Sequence, residues 1–162
     1  MILCVAQPVP DAAAATVHPN RCYKSSKAHY SVSGKKKVYK AGKHSRVYGQ
    51  SGVTLSIQKG TSYTIGATVT GSISFKESAI FAAATESFSV AVTGSRTTST
   101  MFGGSWTVPK KQQTGWLEVG TTSAYKFKWK KWHMAGECTV KTDGKGKAVA
   151  PSKSSALMYK HS

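Results

Sequence analysis

From Val53 to Phe75 the chain alternates apolar and polar positions with a period of two. Val53, Leu55, Ile57, Tyr63, Ile65, Ala67, Val69, Ile73 and Phe75 fall on one parity. Thr54, Ser56, Ser62, Thr64, Thr68, Thr70, Ser72 and Ser74 fall on the other. Such alternation predicts β-structure with one apolar face and one Ser/Thr face. The run is far longer than the ~5–6 residues of an ordinary strand, and Lys59-Gly60 marks a turn or bulge that divides it. A second alternating stretch, Phe88, Val90 and Val92 against Ser87, Ser89 and Thr93, predicts a returning strand. Between the two lies Lys76 to Glu86, an apolar centre flanked by acids. Periodicity leaves it open as one or two turns of helix or as the tip of a hairpin.

Further along, Tyr125, Phe127 and Trp129 alternate with Lys126, Lys128 and Lys130. This predicts a strand whose aromatics face a core while its lysines face water. Shorter strands are expected at Tyr30–Val32, Lys37–Lys40, Gly115–Val119 and Cys138–Val140. The expected fold class is all-β: an elongated antiparallel sheet with long amphipathic strands. Residues 16–140 form the single β domain of this reading, and 141–162 a weakly ordered basic tail.

Composition sharpens the chemistry. The 162 residues carry 23 Lys and Arg against 6 Asp and Glu, a formal charge of +17. A surface so charged attracts anionic partners at low salt. Two lysine groups are the expected contacts: Lys35, Lys36, Lys37, Lys40 and Lys43, and Lys126, Lys128, Lys130 and Lys131. Trp132 breaks the alternation and is the expected exposed anchor beside the second group. Nucleic acid is expected to bind only non-specifically, because base reading leans on Arg and Asn rather than Lys.

Enzymatic function finds little footing. Six acids leave few carboxylate pairs, and His18, His29, His44, His133 and His161 have no triad-like neighbours. There is no Gly-x-Ser-x-Gly, and Gly144-Lys-Gly-Lys147 lacks the spacing of a phosphate loop. Neither an enzyme activity nor a cofactor or metal is expected.

Two features point to export. Ala12 to Ala15 resemble the small-residue end of a secretory signal, although a basic start is missing and Pro8, Pro10 and Asp11 interrupt the apolar segment. Residues 1–15 are read as a truncated signal with cleavage near Ala15; the competing reading is a flexible apolar tail. Of 3 cysteines, Cys4 falls in that segment, which leaves Cys22 and Cys138 as an even pair. In an oxidising compartment they are expected to form a disulfide.

The order of segments resembles the pore-forming module of aerolysin-like toxins. The matching parts are Ser51 to Phe75, Lys76 to Glu86, Ser87 to Thr100 and Trp106-Thr-Val-Pro109, within roughly residues 51–130. The chain is also similar to small secreted bacterial proteins with an early Cys-Tyr-Lys, here Cys22-Tyr23-Lys24, a Ser/Thr-rich core and a late cysteine. It departs from the toxins in charge, which is far more basic, and in leaving no length for a separate receptor-binding domain. The resemblance implies an inserting hairpin over 65–92. Ile65, Val69, Ile73, Phe75, Phe88, Val90 and Val92 would face lipid, with Ile80 and Phe81 at the tip. The expected function is therefore that of a secreted cationic β-protein. Its expected partner is an anionic membrane or a cell-surface polymer, with oligomerisation and pore formation as the further step. The alternative is a secreted adaptor or structural subunit that binds another protein without inserting.

Overall fold

The computed structural model describes residues 25–135, 138–154 and 156–162. The chain runs through β1 (Ser25–Ala41), β2 (Val47–Gln50), β3 (Thr54–Ile57), β4 (Ser62–Gly66) and β5 (Thr68–Gly71). Helix α1 (Glu77–Phe88) follows, then β6 (Ser95–Ser99), β7 (Gly104–Thr107), β8 (Thr114–Met134), β9 (Val140–Pro151) and β10 (Met158–His161). The fold is mostly β, and every strand pairing is antiparallel.

The aromatic–lysine alternation belongs to β8, a single strand of 21 residues that absorbs the segment expected at Gly115–Val119. Along one edge it pairs with β1 and then β2; along the other it pairs with β9 and then β10. β5 adds to the far side of β9. Two smaller antiparallel pairs, β3 with β7 and β4 with β6, complete the strands.

Two cores form against β8. Leu117 and Val119 in its first half pack with Leu55, Ile57 and Val108. Phe127 and Trp129 in its second half pack with Ile80, Phe81 and Ala84 of α1, and with Val92, Ala148 and Ala150. The alternation on β8 thus sorts as expected, with Phe127 and Trp129 buried and Lys126, Lys128 and Lys130 exposed.

Trp129 sets the fit of the second core. Its indole donates Nε1–H to the Thr70 carbonyl at 3.0 Å. Gly71 and Gly146 are cross-strand partners, and a Cβ on either would collide with the indole. The glycine pair is a seat for the ring.

The long periodic run is broken into three. Its apolar parity does face the cores, with Leu55, Ile57 and Ile65 buried. Its strands, however, take three different partners, β7, β6 and β9. Gly60, at φ 82°, makes the turn after β3, and Ala67 separates β4 from β5 by bonding its N–H to the Gly94 carbonyl. Alternation reports which face is covered, not which strand lies alongside.

In this structure the segment 65–92 is not a hairpin. Its centre is α1, where Ile80, Ala84 and Phe88 recur at i, i+4 spacing on one face, in a run rich in alanine. Phe88, expected in a strand, ends the helix and meets Phe127 edge-on at 5.5 Å between centroids. Ser89 then turns the chain with φ 52°. Val92 makes only an isolated bridge to Ser152. Of the expected lipid-facing set, Ile65, Ile80, Phe81 and Val92 are buried; Val69, Ile73, Phe75, Phe88 and Val90 are half-buried.

Residues 141–162, expected as a loose tail, carry most of β9 and all of β10. The signal segment, Cys4 and Cys22 lie outside the described residues.

The seat of Trp129 gives a direct test. Gly146→Ala is expected to lower stability by about 1–3 kcal/mol through overpacking, and Trp129→Ala by about 3–5 kcal/mol. Lys128→Gln, on the opposite face, should stay within about 0.5 kcal/mol. Urea denaturation followed by circular dichroism checks all three; a Gly146→Ala protein as stable as the parent would show that the seat is loose.

Candidate functional site

The outer face of the β1-β8-β9-β5 sheet is built by register. Side chains of directly opposed residues share a face. Lys128 lies opposite Ser33 on β1 and Lys147 on β9; Lys130 lies opposite Ser31 and Lys145. Lys126 lies opposite Lys36. Across β9, Thr70 of β5 faces Lys147, and Ser72 bonds to the Lys145 backbone. Six lysines therefore converge on one surface as three opposed pairs, two of them between β8 and β9 and one between β1 and β8. Lys128, Lys130, Lys145 and Lys147 line a groove of about 560 Å³ with Ser31 and Ser33 on its β1 side, and the intervening Val32, Trp129 and Gly146 complete its floor.

The inner face is closed by α1, so this outer face is the one left to solvent. The acidic side chains among the described residues do not neutralise it. Glu118 is buried against Arg46, Asp143 pairs with His133 at 2.8 Å, and Glu77 and Glu86 ride on α1. Among the described residues, Lys128, Lys130, Lys145 and Lys147 make no hydrogen bond or ion pair through their side chains. Like charges directly opposed in a sheet are destabilising. The fold holds them there because the opposite parity of β8 and β9 is committed to the Trp129 core.

The ten residues expected to bind anions are thus not one group. Lys36, Lys126, Lys128 and Lys130 come together. Lys35 turns inward, bonding the Phe88 carbonyl at 3.0 Å and lying over the rings of Phe88 and Tyr125. Lys40 donates to Thr68 Oγ1 at 2.9 Å, and burial lowers its pKa. Lys131 donates to the Ser74 carbonyl at 3.3 Å. Trp132 is not a free anchor: it is half-buried and stacks on His29 at 4.6 Å. Lys37 is exposed opposite Tyr125, and Lys43 is exposed on the β1–β2 connection.

Lys145 and Lys147 were missed in the sequence reading. Their signal is the alternation Gly144-Lys-Gly-Lys-Ala-Val-Ala150, whose small parity faces the core.

A second polar cluster lies near the start of β8. Glu118 Oε2 accepts from Arg46 Nη2 at 2.6 Å and from Nε at 2.7 Å. The guanidinium sits over the Trp116 ring at 4.2 Å. Its pKa is raised, chiefly by the hydrogen bond to Glu118. Beside the carboxylate, the buried Tyr39 hydroxyl completes no well-formed hydrogen bond among the described residues. Burial first, and the Glu118 charge second, hold the Tyr39 pKa well above its ordinary value. The cluster ties β1 and the β1–β2 connection to β8, and it opens onto no pocket wall described above.

Among the described residues no group of three His, Cys, Asp or Glu side chains could hold a metal ion. No described helix is long and apolar enough to cross a membrane. No protein-family model matches the chain, and no curated protein matches it significantly in sequence.

Tyr39 generates a pH prediction. Its folded pKa is raised above the ordinary value of 10.0, so the folded state favours the protonated phenol. That contribution is complete below pH ~10 and is lost as pH rises above the unfolded pKa toward the folded one. Tyr39→Phe is expected to keep or gain stability at pH 8, since it removes an unpaired buried hydroxyl. It should also lose less stability than the parent between pH 8 and 11. Paired urea titrations at the two pH values decide it; equal losses would show that Tyr39 does not titrate with unfolding.

Proposed function

We propose that this is an exported cationic β-domain that binds an anionic surface without catalysing a reaction. One observation carries the reading: Lys36, Lys126, Lys128, Lys130, Lys145 and Lys147 share one exposed sheet face that no acid among the described residues neutralises. Export and localisation outside the cell rest on the N-terminal segment and the cysteine count. The finer reading, an aerolysin-like pore module, is supported by the segment order within 51–130; the strands on either side of α1 are four or five residues long. Insertion of 65–92 as a hairpin requires α1 to unwind, and β4 and β5 to leave β6 and β9. Binding therefore comes first in the proposal, with oligomerisation and insertion as later steps. The adaptor reading uses the same sheet to meet a protein.

Anionic vesicles and wall polymer, titrated with salt, test the binding step. Affinity should fall steeply between low and physiological salt, where the screening length shrinks to ~8 Å. Replacing Lys126, Lys128 and Lys130 together by Gln should reduce the log–log salt slope by about 3 and leave the fold intact. Salt-insensitive binding would remove the charge from the mechanism. Dye release from the same vesicles separates insertion from docking; a stable stoichiometric protein partner without any vesicle binding favours the adaptor.

The disulfide is tested separately. Cys138 is exposed at the β8–β9 connection, with φ 60°, and Cys22 is its expected partner. Closing so long a loop is worth ~4–5 kcal/mol in the chain-entropy model. Both thiols should resist alkylation until the protein is reduced; two readily alkylated thiols in the native protein refute the pairing.

A further inference from the structure

We infer that the groove between β1 and β9 docks an extended phosphate polymer lacking bases, with Lys128, Lys130, Lys145 and Lys147 each meeting one phosphate. This rests on the proposed anionic-surface binding and names its partner.

The grid is regular because the sheet is regular. Opposed lysines sit about 4.5–5.5 Å apart at Cα, and successive lysines on one strand about 7 Å apart. Two rows of two charges therefore repeat on the scale of neighbouring charges along a polyanion. A linked chain that occupies one lysine presents its next phosphate to the adjacent one at high effective concentration. It also neutralises opposed like charges that no group among the described residues relieves, and releases counterions as it does so.

Side-chain chemistry narrows the occupant. The grid contains no arginine, so it lacks the planar fork that fixes the orientation of an oxyanion. It responds to the spacing and density of charge. The ammonium of lysine is a compact, strongly hydrated charge, suited to the similarly compact oxygens of phosphate. Bases find little stacking platform here: Trp129 and Val32 contribute to the floor of the groove, but Trp129 is only 2% exposed, and Tyr125 and Phe127 are not among its lining residues. A bilayer is a poorer match: the site is a groove, and no large apolar side chain stands exposed in it. The strongly exposed Met101 and Phe102 belong to the β6–β7 connection instead. Ser31 and Ser33 add hydroxyls along the β1 side.

The test measures binding of the full chain to four probes at 0.15 M salt, by calorimetry or anisotropy. The probes are long-chain inorganic polyphosphate, tripolyphosphate, oligo-dT, and vesicles of phosphatidylglycerol and phosphatidylcholine. Long-chain polyphosphate should bind at least tenfold more tightly than each of the others. Lys128→Gln with Lys147→Gln should weaken it at least tenfold and lower the salt slope by about 2. Lys110→Gln with Lys111→Gln, exposed between β7 and β8, should change neither. Melting curves confirm folding, and Lys145→Gln or Lys130→Gln alone gives the same direction if the double variant is unstable.

Oligo-dT or vesicles binding as tightly as polyphosphate, with the same loss in the grid variant, overturns the polymer but leaves anionic binding in place. Equal losses in the two double variants overturn the groove as the site. No binding of any probe even at low salt overturns both readings.

Discussion

A strand of 21 residues exposes a long row of backbone donors and acceptors, and β8 satisfies them by pairing along both edges. That demand shapes the rest of the molecule. β1 and β9 are long because they must follow β8; β2 and β10 continue the pairing where those strands leave it. The two cores are distinct because they lie at opposite halves of the same strand. Near its start β8 is covered on both sides: Leu117 and Val119 enter one core, while Glu118 lies buried on the other face. A buried carboxylate is tolerable only when paired and hydrogen-bonded, and Arg46 supplies both. The Tyr39 hydroxyl beside it, which completes no well-formed hydrogen bond among the described residues, is the residual cost of closing that side.

The free face of the sheet follows from where α1 sits. With Ile80, Phe81 and Ala84 against Phe127 and Trp129, the inner parity of β8 and β9 is fully used. Lysine on the outer parity keeps that surface wet and discourages stacking of sheets through it. Mutual repulsion of the lysines is a modest term per pair, on the order of 0.2–1 kcal/mol. Removing the Trp129 core costs several times that. Packing therefore wins over the electrostatics, and the charge grid persists as a loaded surface.

Much of this was legible in the residues, although unevenly. The class, the two faces of Tyr125 to Lys130 and the burial parity of Val53 to Phe75 all followed from alternation. Partners did not, because period two carries no information about which strand lies alongside. The helix was open between two readings; its i, i+4 face of Ile80, Ala84 and Phe88 was the decisive pattern. Phe88, Val90 and Val92 misled because three apolar residues at even spacing also fit a helix end followed by a turn. The largest loss was β9. A run of Lys, Gly and Ala has the composition of an unstructured tail, since glycine on the buried parity contributes no apolar side chain. The Thr70 carbonyl and the tryptophan ring that crowd Gly146 explain why glycine belongs in a buried strand. Half of the charge grid was lost with β9.

The same glycines fix where the charge goes. On β9, Lys145 and Lys147 flank Gly146, and Gly146 must lie under Trp129 because no larger residue fits. A slip of one residue would turn both lysines into the core and lift the small residues outward. The slipped register is excluded by burial of charge as well as by the ring. On β8 the constraint is mirrored, for Lys128 and Lys130 flank the tryptophan itself. Opposed lysine pairs are therefore a geometric consequence of one aromatic side chain seated on glycine across a strand pair. Core packing and surface charge are set by a single register, so neither can drift without the other.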